Sequence, residues 1–249
     1  MFSIHAFASS SIGTYSSLTN VAPTSDPAMA ISGNFLYVPQ LANLFGFYAL
    51  GTNLSRVQLS TPSLLADVPY DATPIDQAAA PSTTAPMLIH QASPIKLITD
   101  EPLQCLITSS GTGVASTFIF LSDGAIAPVS GRILRVRATV TSSSTGYSWQ
   151  NAAMTLTNQL AEGNYDLVGA RFEGAHVLAG RFVFPGSSNA IRPGAIASNG
   201  AKGIDADYMF RSGQLGVWGT FSNRVLPTID LMSDGTGETV TVILDVIKK

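Results

Sequence analysis

Apolar and polar positions alternate most plainly in two stretches. Leu134, Val136, Ala138 and Val140 fall on one side of the chain, with Arg135, Arg137, Thr139 and Thr141 on the other. Near the end, Val240, Val242, Leu244 and Val246 alternate in the same way with Thr239, Thr241, Ile243 and Asp245. A period of two is the mark of a strand with one face on a core and one toward water. The stretch between them, Gly163 to Phe184, reads differently. Val168, Ala170 and Phe172 share one side and Leu167 and Gly169 the other; His176, Leu178, Gly180, Phe182 and Phe184 then oppose Val177, Ala179, Arg181 and Val183. Neither side is cleanly polar. Two strand runs around Glu173-Gly174 predict a β-hairpin or a sharp bend between paired strands. Their apolar faces predict cover on both sides, from another sheet or another subunit.

Taken in order, the chain predicts a first strand from Phe2 to Ala8 and then a Ser, Thr, Asn and Pro-rich loop or arm through Pro27. Strands follow at Asn34 to Val38, Leu44 to Leu50 and Arg56 to Ser60. Thr73, Pro74 and Asp76 have the order of a cap, first turn and N-terminal acid, predicting a short helix that closes before Pro81. Strands resume at Met87 to Gln91, Ile95 to Thr99, Leu103 to Thr108 and Val114 to Leu121. The turn-rich segment Ser122 to Gly131 is the best internal boundary. Domains at 1–122 and 132–249, joined by a linker at 123–131, are the resulting expectation. In the second half, further strands are predicted at Trp149 to Thr157, Gln214 to Thr220 and Leu226 to Met232, and a short helix within Gly203 to Arg211. Each half then offers roughly eight strands, the number a jelly roll needs.

Composition sharpens this picture. Hydrophobic residues make up 45% of the 249 and charged residues 12%, about half the roughly 25% usual for a soluble domain. So neutral a surface predicts an oligomer. No run approaches the ~20 apolar residues of a spanning helix. The start lacks a basic region before its apolar run, so cytosolic synthesis is expected. Charge is uneven along the chain: up to Gly131 two basic residues stand against seven acidic ones, a net of −5, and the remainder carries eleven basic and nine acidic residues, a net of +2. With no Lys or Arg before Arg56, the N-terminal passage is not an arm for nucleic-acid phosphates.

Chemistry is sparse. His5, His90 and His176 are far apart with no ligand-spaced partner, and each reads as a strand or interface residue. Cys105 alternates with Leu103 and Ile107 and reads as a buried structural thiol. No nucleophile elbow, zinc-protease or phosphate-loop motif occurs, so no catalytic residue and no cofactor is assigned. Asp205 and Asp207, with Asp230, Asp234 and Glu238 as further oxygen donors, are the candidate calcium ligands, against a plain reading as caps and solvated turns. Tyr147, Trp149 and Trp218 have the chemistry of a sugar-stacking platform, against a reading as core or interface residues. Arg132, Arg135 and Arg137 form a basic stripe suited to ion pairing between subunits. Arg135, Arg137, Arg171, Phe172, His176 and Arg181 are the expected interface residues.

Two β-rich halves joined near Ser122 to Gly131, a short helix late in each half, few charges, one cysteine and loops rich in Ser, Thr, Ala, Gly and Pro make a pattern. It resembles the major capsid proteins of tailless icosahedral viruses that place two jelly rolls in one chain. The resemblance is of pattern along nearly the whole length, without a shared motif. It implies an all-β fold of two tandem jelly-roll β-sandwiches with few short helices, and a structural protein of the virion rather than an enzyme. It also implies trimers that meet other capsid proteins, made in the host cytoplasm, with a mobile N-terminal passage that ties neighbours or faces an internal membrane. The competing expectation is a tandem β-sandwich binding module, such as a phage spike, fibre or carbohydrate-binding protein, with both tryptophans accessible.

Overall fold

The computed structural model describes residues 1–26, 30–37, 41–64, 70–72, 74–76, 88–89, 92–186, 191–197 and 213–249. Its strands, in chain order, are β1 (Phe2–Ile12), β2 (Tyr15–Val21), β3 (Ala30–Ser32), β4 (Phe35–Tyr37), β5 (Asn43–Gly51), β6 (Leu54–Ser60), β7 (Tyr70–Ala72), β8 (Ile75–Asp76), β9 (Leu88–Ile89), β10 (Ile95–Lys96), β11 (Pro102–Ser109) and β12 (Gly113–Ser122). Then follow β13 (Ile133–Thr141), β14 (Gln150–Ala152), β15 (Thr155–Leu156), β16 (Asn164–Glu173), β17 (Val177–Val183), β18 (Gly194–Ile196), β19 (Gly219–Ser222), β20 (Thr228–Ser233) and β21 (Thr239–Lys248). Among the described residues the helical content is a single 3-10 turn, Pro62–Leu64. The protein is all-β. It divides into two units, one of residues Ile4–Ala125 and one of Ile126–Lys249 together with Met1–Ser3.

Strand order gives each unit its fold. In the second unit one sheet runs β15-β13-β21-β16-β19 and the other β14-β20-β17-β18. Leave aside the short edge strand β15 and number the remaining eight by chain order. One sheet then holds the first, eighth, third and sixth strands, and the other the second, seventh, fourth and fifth. That is the two-sheet weave of a jelly roll. The first unit repeats it, with β1-β12-β5-β10 as one sheet and β2, β11, β6 and β7 in the other; β3, β4, β8 and β9 are additions at the edges.

The cores follow from the alternation. In the second unit Val136, Ala138 and Val140 pair in register with Leu244, Val242 and Val240, and all six are buried. In the first unit Val57, Leu59, Leu103, Cys105, Ile107, Phe47, Ile119 and Leu121 form one continuous cluster, each large side chain contributing about 1.5–3 kcal/mol by leaving water.

Three expectations are corrected. First, Glu173-Gly174 does not join a hairpin: β16 and β17 lie in different sheets, and the connection crosses the sandwich. A bulge between Leu167 and Gly169 explains why β16 looked apolar on both sides. Leu167 faces inward with Val246, and beyond the bulge Ala170 and Phe172 face inward with Leu244 and Val242. The extra residue shifts the parity, so the outer face is Asp166, Gly169, Arg171 and Glu173. Second, much of the Ser and Thr-rich passage after Ala8 is strand rather than a loop or arm. Strand β1 runs on to Ile12, β2 pairs with β11, and beyond β2 the Ala22 carbonyl accepts the Ala8 N–H while the Thr24 N–H donates to the Ala6 carbonyl. The open edge of β11 satisfies that backbone, which outweighs weak local propensity. Third, Ile75–Asp76 is not the start of a helix but a short strand parallel to β5. The predicted helix within 203–211, and with it Asp205 and Asp207, lies outside the described residues, as does His90.

Candidate functional site

One row across the outer face of the sheet β14-β20-β17-β18 concentrates the buried charge of the second unit. Register sets Asn151 opposite Asp230, Asp230 opposite Arg181 and Arg181 opposite Gly194. Arg181 donates from Nε to Asp230 Oδ2 at 3.0 Å, and Asn151 Nδ2 donates to Asp230 Oδ1 at 2.8 Å. Arg192 approaches the same carboxylate at 3.9 Å. The Arg181 guanidinium lies 4.3 Å from the centroid of the Trp149 ring, a cation–π contact. Gly194 is required here, because a Cβ would stand 2.2 Å from the Gly180 carbonyl oxygen. Arg181 is wholly buried. Two arginines around one carboxylate, held by strand register, form a rigid charged seam rather than a reactive centre.

The outer face of the opposite sheet is different in kind. Across β13, β21 and β16 the rows read Arg135, Asp245, Gly169, then Arg137, Ile243, Arg171, then Thr139, Thr241, Glu173. Arg135 makes a bidentate contact with Asp245 at 2.8 and 3.1 Å, which holds its pKa above the ordinary value through the hydrogen bond and the charge of that carboxylate. Arg137 is exposed and reaches only the Thr241 hydroxyl, at 3.3 Å. Arg171 stands 3.6 Å from Glu173.

A third cluster ties the turns at one end of this unit. Glu238 accepts the backbone N–H groups of Ala175, His176 and Val177 at 3.0, 2.6 and 2.9 Å. Successive amides converging on one carboxylate form a nest. Gly174 lets the carboxylate approach, since a Cβ there would come within 2.5 Å of Glu238 Oε1. His176 Nδ1 lies 2.9 Å from Asp234, whose hydrogen bond raises the histidine pKa above its usual value.

These placements sort the expected residues. Arg135, Arg137 and Arg171 share one outer sheet face, and His176 sits apart on the turn after β16. Phe172 and Arg181 are both fully buried within the chain, with the Phe172 ring 5.5 Å from Phe182 and tilted against it in the core. Asp230, Asp234 and Glu238 are engaged with Arg181, His176 and three amides instead of converging as oxygen ligands. Among the described residues no group of three His, Cys, Asp or Glu side chains comes together as a metal site. Trp218 is buried against Phe2 and Phe182 and Trp149 is half-buried under Arg181, so the aromatic platform does not form. Cys105 is buried beside Thr117, and burial pushes its thiol pKa up to about 12. His5 pairs with Asp26 at 3.0 Å, both buried in the first unit. The Arg181, Asp230 and Glu238 contacts had no local sequence signal, because each joins residues far apart in the chain.

No protein-family description matches the chain, and no curated protein does. Among solved structures it is similar along its whole length to the major capsid protein P2 from bacteriophage PM2, with 10% identity, a TM-score of 0.25 and 97% of that chain covered. It is likewise similar to the STIV MCP, with 8% identity, a TM-score of 0.23 and 97% of that chain covered. At those scores the fold assignment rests on the strand order itself.

Proposed function

We propose that this protein is a structural subunit of a virus or phage capsid, which assembles through symmetric oligomers, expected to be trimers, into an icosahedral shell. The observation that carries the reading is the repetition of a complete jelly-roll weave in both units of one chain, an architecture used by viral capsids as well as by lectins and cupins. A chain with 12% charged residues supports it, since extensive contacts between copies are built from surfaces poor in charge. The burial of Trp218 removes the feature expected of the rival carbohydrate-binding module. Its place is then the virion, its partners are further copies and other capsid proteins, and its role requires no catalysis.

Sedimentation velocity across the micromolar range, with negative-stain microscopy of the same samples, tests this. Trimers or larger closed assemblies are expected. A stable monomer at every concentration overturns the reading.

A further inference from the structure

The imidazole of His5 and the carboxyl of Asp26 meet inside the first unit, with side chains 1% and 2% exposed and Nδ1 3.0 Å from Oδ2. Backbone register brings them together. Phe7 bridges Pro23, and Thr24 donates from its backbone N–H and its hydroxyl to the Ala6 carbonyl, at 2.9 and 3.0 Å. The segment leading into Asp26 is thus clamped to β1, and the next step along it sets the carboxyl against the ring of His5. Out of water, the neutral arrangement with the proton on the carboxyl oxygen escapes the desolvation that penalises the charged one.

The residue after Asp26 is a proline, and no other aspartate of the chain precedes one. An aspartyl side chain followed by an ordinary residue can cyclise onto the next backbone nitrogen, which isomerises the chain without breaking it. Proline has no N–H, which closes that route. The five-membered ring left to Asp26 is a cyclic anhydride, with Oδ1 as nucleophile toward its own backbone carbonyl carbon. As that C–O bond forms, the C–N bond to Pro27 breaks. His5 Nδ1 takes the proton that Oδ2 loses on ring closure, and the departing prolyl nitrogen ends with one proton. Water then opens the anhydride to two carboxyl groups. The net change is hydrolysis of one peptide bond, with no oxidant or reductant.

We propose that the His5–Asp26 pair is a self-cleavage site, at which the chain breaks once, between Asp26 and Pro27. Its substrate is the chain's own Asp–Pro bond. The product stays assembled, because β1 lies beside β12 in one sheet and β2 pairs with β11 in the other. This activity goes beyond the capsid reading and does not depend on it.

The full chain is held for days at neutral pH and physiological temperature, and intact masses and N-terminal sequences are read under denaturing conditions. Two fragments are expected, residues 1–26 and 27–249, together one water heavier than the chain. They form at a rate independent of protein concentration and elute together in native gel filtration. His5→Gln, which keeps a hydrogen-bond donor and loses the base, slows the reaction about 100-fold. Asp26→Ala abolishes it. Pro27→Ala leaves the His5–Asp26 pair in place and reopens the route through a backbone N–H, so it yields isoaspartate in place of Asp26 and no break. Circular dichroism melts establish that this variant is folded, which keeps the test decisive even where Asp26→Ala unfolds. A chain that remains intact overturns the inference. Cleavage at an unchanged rate in concentrated urea, where His5 and Asp26 no longer meet, overturns it in favour of intrinsic lability of the bond. Cleavage that persists in Asp26→Ala, or slows on dilution, overturns it in favour of a protease.

Discussion

Asp230→Asn is the sharpest test of how the second unit is held together. The substitution keeps the shape of the side chain and removes its charge. It does so beside Arg181, which is fully buried at a distance of 3.0 Å, and Arg192, which is 4% exposed at 3.9 Å. Breaking a buried ion pair from one side costs about 3–5 kcal/mol, because a desolvated guanidinium loses the charge that offset its transfer from water. Folded domains are stable by only about 5–15 kcal/mol, so the effect is large. With an m-value of about 2 kcal/mol/M in urea, the midpoint should fall by roughly 2 M.

The assay is built into the sequence. The two tryptophans of the chain, Trp149 and Trp218, both lie in the second unit, so intrinsic tryptophan fluorescence follows that unit alone. Asp245→Asn serves as the comparison, since its partner Arg135 is 68% exposed and water replaces the lost contact. There a midpoint shift of about 0.5 M or less is expected, because the guanidinium that loses its partner stays in water even though Asp245 is buried, and pairs with such an exposed member contribute about 0–1 kcal/mol. Equal small shifts for the two variants would refute the claim that the Arg181 seam is desolvated and stabilising.

Two further outcomes follow from the titratable groups. Cys105, with its pKa pushed up to about 12 by burial, should resist an aromatic disulfide reagent at pH 8 in the native protein and react within minutes in urea; fast native reaction would contradict the burial. His176 should titrate above the usual value of about 6.5 by NMR and return toward it in Asp234→Asn. Because its folded pKa is raised, the contribution of the His176–Asp234 contact is complete below pH 6.5 and fades as pH rises through the folded pKa. The imidazole is 42% exposed, so the change in stability is small. A native pKa at or below the ordinary value would refute the contact.

The strands with one wet face, β13 and β21, were legible because their alternation is uninterrupted. The central stretch misled for a definable reason. A single bulge at Val168 reverses parity midway along β16, and a reading with a fixed period of two cannot register the reversal. Tyr15–Val21 was hidden by its serines and threonines, since β11 rather than local preference makes it a strand. The predicted strand Trp149 to Thr157 is two short ones on different sheets, β14 and β15, which is a change of sheet that propensity does not encode. The charged seam was the least legible feature. Arg181 and Asp230 become neighbours only through the register of β17 on β20, and nothing near either residue announces the other.

The grouping of Met1–Ser3 with residues beyond Ala125 bears on how the protein is made. Phe2 sits edge-on to Trp218 at 5.3 Å, and the Ser3 hydroxyl exchanges hydrogen bonds with the backbone N–H and carbonyl of Arg192. At about 5–20 residues per second, a ribosome reaches Trp218 roughly 10–40 s after Phe2. Residues made so far apart in time meet only once the later partner has been synthesised. A nascent chain that stops short of Trp218 leaves the Phe2 ring without that partner.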